Sequence, residues 1–206
     1  MAKLKNGILG DISGKVGSVV GLSWKGISSI RAHVVPANPN TPAQQTQRSK
    51  MSLCVAFIKA AIGPVLNVYQ DPITQGKSAY NVFVSNNIAL FEGTVPYNSV
   101  ALTTGKLFAP QIVNVFPPAP GSDYDADFNT GLGSNGLDSD VIYGGAYHKV
   151  TGAWYFPDSP VVRSDGKLTF SGTADESSSD LVFFLFASQS ANLTIKSIST
   201  SYGYTI

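Results

Sequence analysis

The spacing of apolar and polar positions changes twice along the chain. From Gly14 to Val35 small and β-branched residues dominate, in the run Gly14-Lys-Val-Gly-Ser-Val-Val-Gly-Leu-Ser23 and again from Ile27 to Val35. Ile30, Ala32 and Val34 alternate in the second run, and Trp24-Lys25-Gly26 stands between the two. A period of two on either side of a glycine turn predicts a β-hairpin. Six glycines (Gly7, Gly10, Gly14, Gly17, Gly21, Gly26) recur through residues 6–35. Glycine weakens a strand unless another backbone comes close, and an isolated hairpin is marginal in water. This hairpin therefore has to pack on something else, in its own domain or on a neighbour.

The period then lengthens to that of a helix. Pro36–Asn40 reads as an extended linker, Thr41 as an N-cap, Pro42 as the first helical residue and Gln44 as the return arm of a capping box. Met51, Cys54, Val55, Ile58, Ile62 and Val65 recur every three or four residues and predict one apolar face. The helix is expected to reach Ile62 and stop at Gly63-Pro64. A second helix is expected from Thr74 through Lys77, Tyr80, Phe83, Val84 and Asn87 to Leu90, forming a helical hairpin across the Pro72 turn.

Beyond residue 100 the period returns to two. Asp123–Asn129 alternates acid out and apolar in, and short runs follow at Val141–Tyr143, Ala146–Thr151, Gly152–Phe156 and Leu168–Gly172. Leu181–Ala187 is apolar on both faces, as a central strand is. Leu193–Ile206 reads as one long final strand, with Ile198, Thr200, Tyr202, Tyr204 and Ile206 on one face. It carries no charge after Lys196 and no proline, so nothing blunts it as an edge. The expected fold is α+β and mainly β: an amino-terminal hairpin, a helical hairpin, and an immunoglobulin-like antiparallel sandwich without the usual cysteine pair. The expected division is an assembly module over 1–98 and a sandwich domain over 99–206.

Composition narrows the function classes. Of 206 residues, 43% are hydrophobic, enough for a sizeable core, while only 13% are charged against about 25% in ordinary domains. The surface is then largely Ser, Thr, Asn, Gln and Gly, which repels neighbours weakly and suits a subunit packed among others. The net charge of +1 gives no global case for nucleic acid. Charge is nevertheless uneven: residues 1–77 carry nine Lys or Arg against Asp11 and Asp71, a balance of +7, and the rest carry five against eleven acids, a balance of −6. The halves can attract head to tail between subunits or fold onto each other within one chain. No run of apolar residues approaches a signal peptide or a membrane span, so cytoplasmic synthesis is expected.

Catalytic and metal motifs are fragmentary. Gly10-Asp-Ile-Ser-Gly14-Lys15 is one residue short of a P-loop and has Val16 where the magnesium-binding hydroxyl belongs. Asp123, Asp125 and Asp127 resemble the start of a calcium loop, but Phe128 and Ser134 stand at its glycine and glutamate positions. A loose calcium site through Asp138 or Asp140 stays open. The two histidines, His33 and His148, lie far apart, and Cys54 sits in the apolar helical stripe as an inert thiol. No enzyme, cofactor or metal is expected. Trp154, Tyr155 and Tyr147 allow a glycan-binding surface, although such aromatics more often belong to the core.

The segment Gly14-Lys-Val-Gly-Ser-Val-Val-Gly21, Trp24-Lys-Gly26, Ile30-Arg31, Asn38-Pro-Asn-Thr-Pro-Ala-Gln-Gln-Thr-Gln-Arg48 resembles functionally uncharacterised proteins of bacteroidetes and their phages, and phage virion-associated proteins. The resemblance covers residues 6–92 and implies a structural role in a virion, of the head, neck or tail, with no catalytic residues to carry over. The resulting expectation is a non-enzymatic virion subunit whose partners are copies of itself and other structural subunits. A bacterial extracellular filament joined by strand pairing is the alternative, and a carbohydrate-binding module taking a surface glycan a second one. The expected assembly residues are Val16, Val19, Val20, Trp24, Ile30, Arg31, Arg48, Ile198, Tyr202 and Tyr204.

Overall fold

The computed structural model describes residues 2–4, 13–24, 27–67, 78–116, 121–133, 135–189, 192–196 and 200–203. The chain forms two compact units, Met1–Gln45 and Thr46–Ile206. The first is a four-stranded antiparallel sheet of β1 (Ala2–Leu4), β2 (Gly14–Val16), β3 (Val19–Trp24) and β4 (Ile27–Ala32), in the order β1-β4-β3-β2. The expected first strand is thus itself a hairpin. Val16 pairs with Val19 around Gly17-Ser18, and Gly17 has φ of 58°, the left-handed value that a two-residue turn with glycine first requires. Trp24 pairs with Ile27, and Lys25 and Gly26 between them lie outside the described residues. Val34 lies past the end of β4 and is exposed, so the expected alternation stops at Ala32.

Helix α1 (Pro42–Ile58) begins where its cap predicts. Thr41 Oγ1 accepts the Gln44 N–H at 3.4 Å, while Gln44 Oε1 is buried without a partner, so only one arm of the capping box forms. The α-helix stops at Ile58, earlier than expected. The chain then tightens into a 3-10 turn at Lys59–Ala61 and widens into a π turn at Ile62–Asn67, running through Gly63-Pro64 instead of breaking there. Replacing Thr41 with alanine should cost about 1 kcal/mol, a fall of about 2–4 °C in Tm for a chain this long. Thermal melting beside Thr41→Ser, which keeps the acceptor, checks it; equal melting of both variants would remove the cap from the account.

Helix α2 (Ala79–Asn87) is capped by Ser78, whose Oγ accepts the Asn81 N–H at 3.2 Å. The sequence predicts a start at Thr74, but Ser78 is extended, with φ of −79° and ψ of 154°, so α2 begins only at Ala79; residues 74–77 themselves lie outside the described residues. Ala79, Phe83 and Asn87 form its buried line, and Leu90 beyond it is 40% exposed. Asn87 acts as a rung of ladder for the chain after the helix. Its amide donates to the Phe83 and Ala101 carbonyls, and its oxygen accepts the Ala101 N–H at 2.9 Å.

The sandwich has two antiparallel sheets. The smaller holds β5 (Ile112–Phe116), β6 (Tyr124–Phe128) and β10 (Lys167–Phe170), with β6 in the middle. The larger is built on β7 (Val141–His148) and β11 (Leu181–Gln189), with β8 (Trp154–Tyr155) and β9 (Val161–Val162) beside β7. β12 (Asn192–Lys196) and β13 (Thr200–Gly203) lie beside β11. The two runs expected at Val141–Tyr143 and Ala146–Thr151 are one strand, β7, continuous through Gly144-Gly145. That pair is packed too closely for side chains: a Cβ at Gly144 would lie 2.6 Å from the Phe184 carbonyl oxygen. The single expected final strand is two strands, both paired with β11 of their own chain.

β11 explains the arrangement. Leu181, Phe183, Leu185 and Ala187 face the smaller sheet with Ala126, Leu168, Phe170 and Ile142. Val182, Phe184 and Phe186 face a second core with Cys54, Phe57, Ile58, Phe83, Phe91, Tyr147 and Trp154. The strand is apolar on both faces because the helices form a third layer over the larger sheet. That shared core is also why the compact units divide after Gln45, whereas the sequence placed the division after residue 98. The fold is otherwise as expected: mixed α+β with more strand than helix, a hairpin, two helices and a sandwich.

Candidate assembly surface

Pairing in the amino-terminal sheet brings distant residues into line. Lys15 pairs with Val20 and Val20 with Arg31, so these three stand in one row across β2, β3 and β4. Period-two alternation puts Val16, Val19 and Ala32 on the opposite face. Lys15 and Arg31 are exposed, and Val20 and Ile30 are half-buried. Val16 is 65% exposed, Val19 39% and Ile27 42%. A cleft of about 370 Å³ opens between Ser18, Val19, Ile30, Arg31, Ala32 and His33. The sheet therefore offers Lys15 and Arg31 together with Ile27 on one face, and Val16 and Val19 on the other. The burial inside it is of an unusual kind, since Ser28 and Ser29 are 4% and 6% exposed.

The expected assembly residues separate in space. Val16, Val19, Val20, Trp24, Ile30 and Arg31 all belong to this sheet. Arg48 stands exposed on α1 in the second unit, Tyr202 is on β13 beside β11, and Ile198 and Tyr204 lie outside the described residues. Lys15 and Ile27 join the sheet surface although the sequence did not single them out. Their signal was strand register, which puts Lys15 in the Arg31 row and Ile27 opposite Trp24.

The chain belongs to the DUF6266 family. DUF6266 is a family of unknown function, and its match spans residues 11–201, taking in strands of both units. Comparison with curated proteins and with solved structures finds no match.

In this DUF6266 chain the side chains that carry candidate chemistry are engaged in structure. His148 Nδ1 accepts the Val150 and Thr151 N–H groups at 3.1 and 3.2 Å, which fixes the proton on Nε2, facing Glu176 Oε2 at 2.9 Å. Tyr155 donates to the other Glu176 oxygen, and that hydrogen bond raises the pKa of its hydroxyl. His33 lies just past β4 on the surface. Burial raises the pKa of the Cys54 thiol, as an inert cysteine requires.

The acid-out reading of β6 needs correction. The alternation is right, but Asp125 is only 2% exposed, because Thr169 and Lys167 of the neighbouring strand β10 cover it at 2.6 and 2.9 Å. Lys167 responds with a raised pKa, through that hydrogen bond first and the attraction second. Asp123 is occupied too, accepting the Thr173 and Ala174 N–H groups. Asp140 is fully buried against Arg163, a cation that opposes calcium. Among the described residues no three metal-binding side chains converge. Of the aromatics offered for glycan binding, Trp154 and Tyr147 are core residues, the Trp154 Nε1 donating to the Phe57 carbonyl at 2.7 Å. No helix among the described residues is long and apolar enough to cross a membrane.

Proposed function

We propose that the protein is a non-enzymatic structural subunit that self-assembles through its amino-terminal sheet, within a phage virion. One observation carries the reading: a small sheet forms a compact unit of its own while keeping Val16 and Val19 in solvent on one face and Ile27, Lys15 and Arg31 in solvent on the other. Apolar side chains left exposed on a sheet mark contact surfaces, and Ile27 shares its face with the two cations. The carboxy-terminal strands already pair with β11 in their own chain, which leaves the amino-terminal sheet as the segment in need of a partner. The partner chemistry is acidic, and the carboxy-terminal half of a second copy, with eleven acids against five cations, supplies it. The virion setting rests on the motif resemblance over residues 6–92.

The test uses the full chain. Lys15→Glu with Arg31→Glu, and separately Val16→Asp with Val19→Asp, alter exposed positions and should leave circular dichroism unchanged. Sedimentation and electron microscopy of the wild type should show assemblies, and each double variant should associate at least ~10-fold more weakly, the equivalent of about 1.4 kcal/mol. A wild type that stays monomeric at high concentration, or variants that assemble as it does, would end the proposal.

A further inference from the structure

We infer that the second unit binds a small organic cation in a cavity on the helix-facing side of the larger sheet. The cavity measures about 370 Å³, at the small end of ligand sites. Its walls include Tyr143, Phe156, Phe186, Pro157 and Pro160, and among the described residues its one charged group is Asp158. Tyr143 on β7 and Phe186 on β11 are direct cross-strand partners with rings stacked at 5.6 Å and 22°. Phe186 is buried and backs the half-buried Tyr143.

Phe156 follows β8 and lies parallel to Trp154, 6.0 Å away at 5°. Both rings rest over Gly145, where a Cβ would come within 3.1 Å of each. Any larger residue at 145 would lift the Phe156 wall. The wall is therefore set by core packing and exists before a ligand arrives, which spares the ordering cost of binding.

The lining chooses the ligand by charge. Among the described residues no Lys, Arg or His borders the cavity and Asp158 makes no ion pair. A carboxylate at the mouth repels anions and attracts cations. Aromatic rings add to that attraction through their quadrupoles, by about 0.5–2 kcal/mol per contact. A sugar would need several donors and acceptors, whereas the polar lining side chains among the described residues are the Tyr143 hydroxyl and the Asp158 carboxylate. The fit is to a compact ammonium group with an apolar body, which asks for few hydrogen bonds.

Choline is the test compound, titrated into the full-length protein and followed by NMR. Its neutral isostere, with tert-butyl in place of trimethylammonium, and glucose are titrated alongside. Choline should shift resonances of Tyr143 and Phe156 saturably, the isostere should bind at least ~10-fold more weakly, and Asp158→Asn should weaken choline by a similar factor. Asp158 is exposed, so that variant should fold normally; Phe156→Leu gives a second loss of binding from the apolar side. Equal binding of choline and its isostere, absence of any saturable shift, or glucose binding in place of choline would each overturn the site. None of these readouts depends on self-assembly.

Discussion

Replacing Phe57 by alanine should destabilise the second unit by about 3–5 kcal/mol, the largest effect of any single truncation of an apolar side chain proposed for this chain. The ring is fully buried, and six others surround it: Phe83, Phe91, Tyr97, Tyr147, Trp154 and Phe184, with centroids 4.7–6.5 Å away. They come from α2, the chain following it, and the sheet strands β7, β8 and β11. Phe57 is thus the point where the helical layer is keyed to the larger sheet. Its carbonyl also receives the Trp154 Nε1 proton, which holds the indole in place. Truncation leaves a void that these large rings cannot close by small shifts, because each is fixed by other neighbours. The fall in Tm should be about 6–20 °C. Chemical denaturation followed by near-ultraviolet circular dichroism measures it, since the lost packing is aromatic. A loss under about 1 kcal/mol would mean that the helices contribute little to the core.

Arg163→Met should cost about 3–5 kcal/mol, the range for removing one partner of a buried ion pair. Arg163 and Asp140 are both 0% exposed, with Arg163 Nε 3.4 Å from Asp140 Oδ2. The guanidinium also donates to the Phe108 carbonyl at 2.7 Å and the Gly131 carbonyl at 3.2 Å. It thereby ties two loops to the turn between β9 and β10, and Asn135 adds a link by pairing with the Lys106 and Phe108 backbone. Methionine fills the volume but leaves the Asp140 carboxylate buried with only the Leu137 N–H on its Oδ2. Adding Asp140→Asn should recover part of the loss, giving a non-additive double-mutant cycle. The cycle should change little with added salt, because water and ions do not reach the pair. Strict additivity would show that the two charges do not interact.

Much of the fold was legible in the sequence. The cap at Thr41, the stripe through Cys54 and Ile58, and the doubly apolar run at Leu181–Ala187 each follow from local rules that operate within one turn or one strand. The glycine- and valine-rich run of residues 14–23 and the alternation of Ile30 and Ala32 announced strands, and the scarcity of charge announced an uncrowded electrostatic surface. What escaped was pairing between distant segments. Nothing local says that Leu181–Ala187 is apolar twice over because helices cover its far side, or that Asp125 is capped by Thr169 and Lys167.

The candidate surface divides in the same way. Val16, Val19 and Arg31 were visible as unusual residues in a glycine-rich strand, whereas the Lys15–Val20–Arg31 row needed the register of three strands. Sequence by itself determined element type and where the first helix begins, because hydrophobic period and capping act over a few neighbouring residues. Tertiary structure alone decided which faces are covered, where the units divide, and which polar groups are buried. Those depend on packing between segments distant in sequence, which places Phe57 under Trp154 and Arg163 against Asp140.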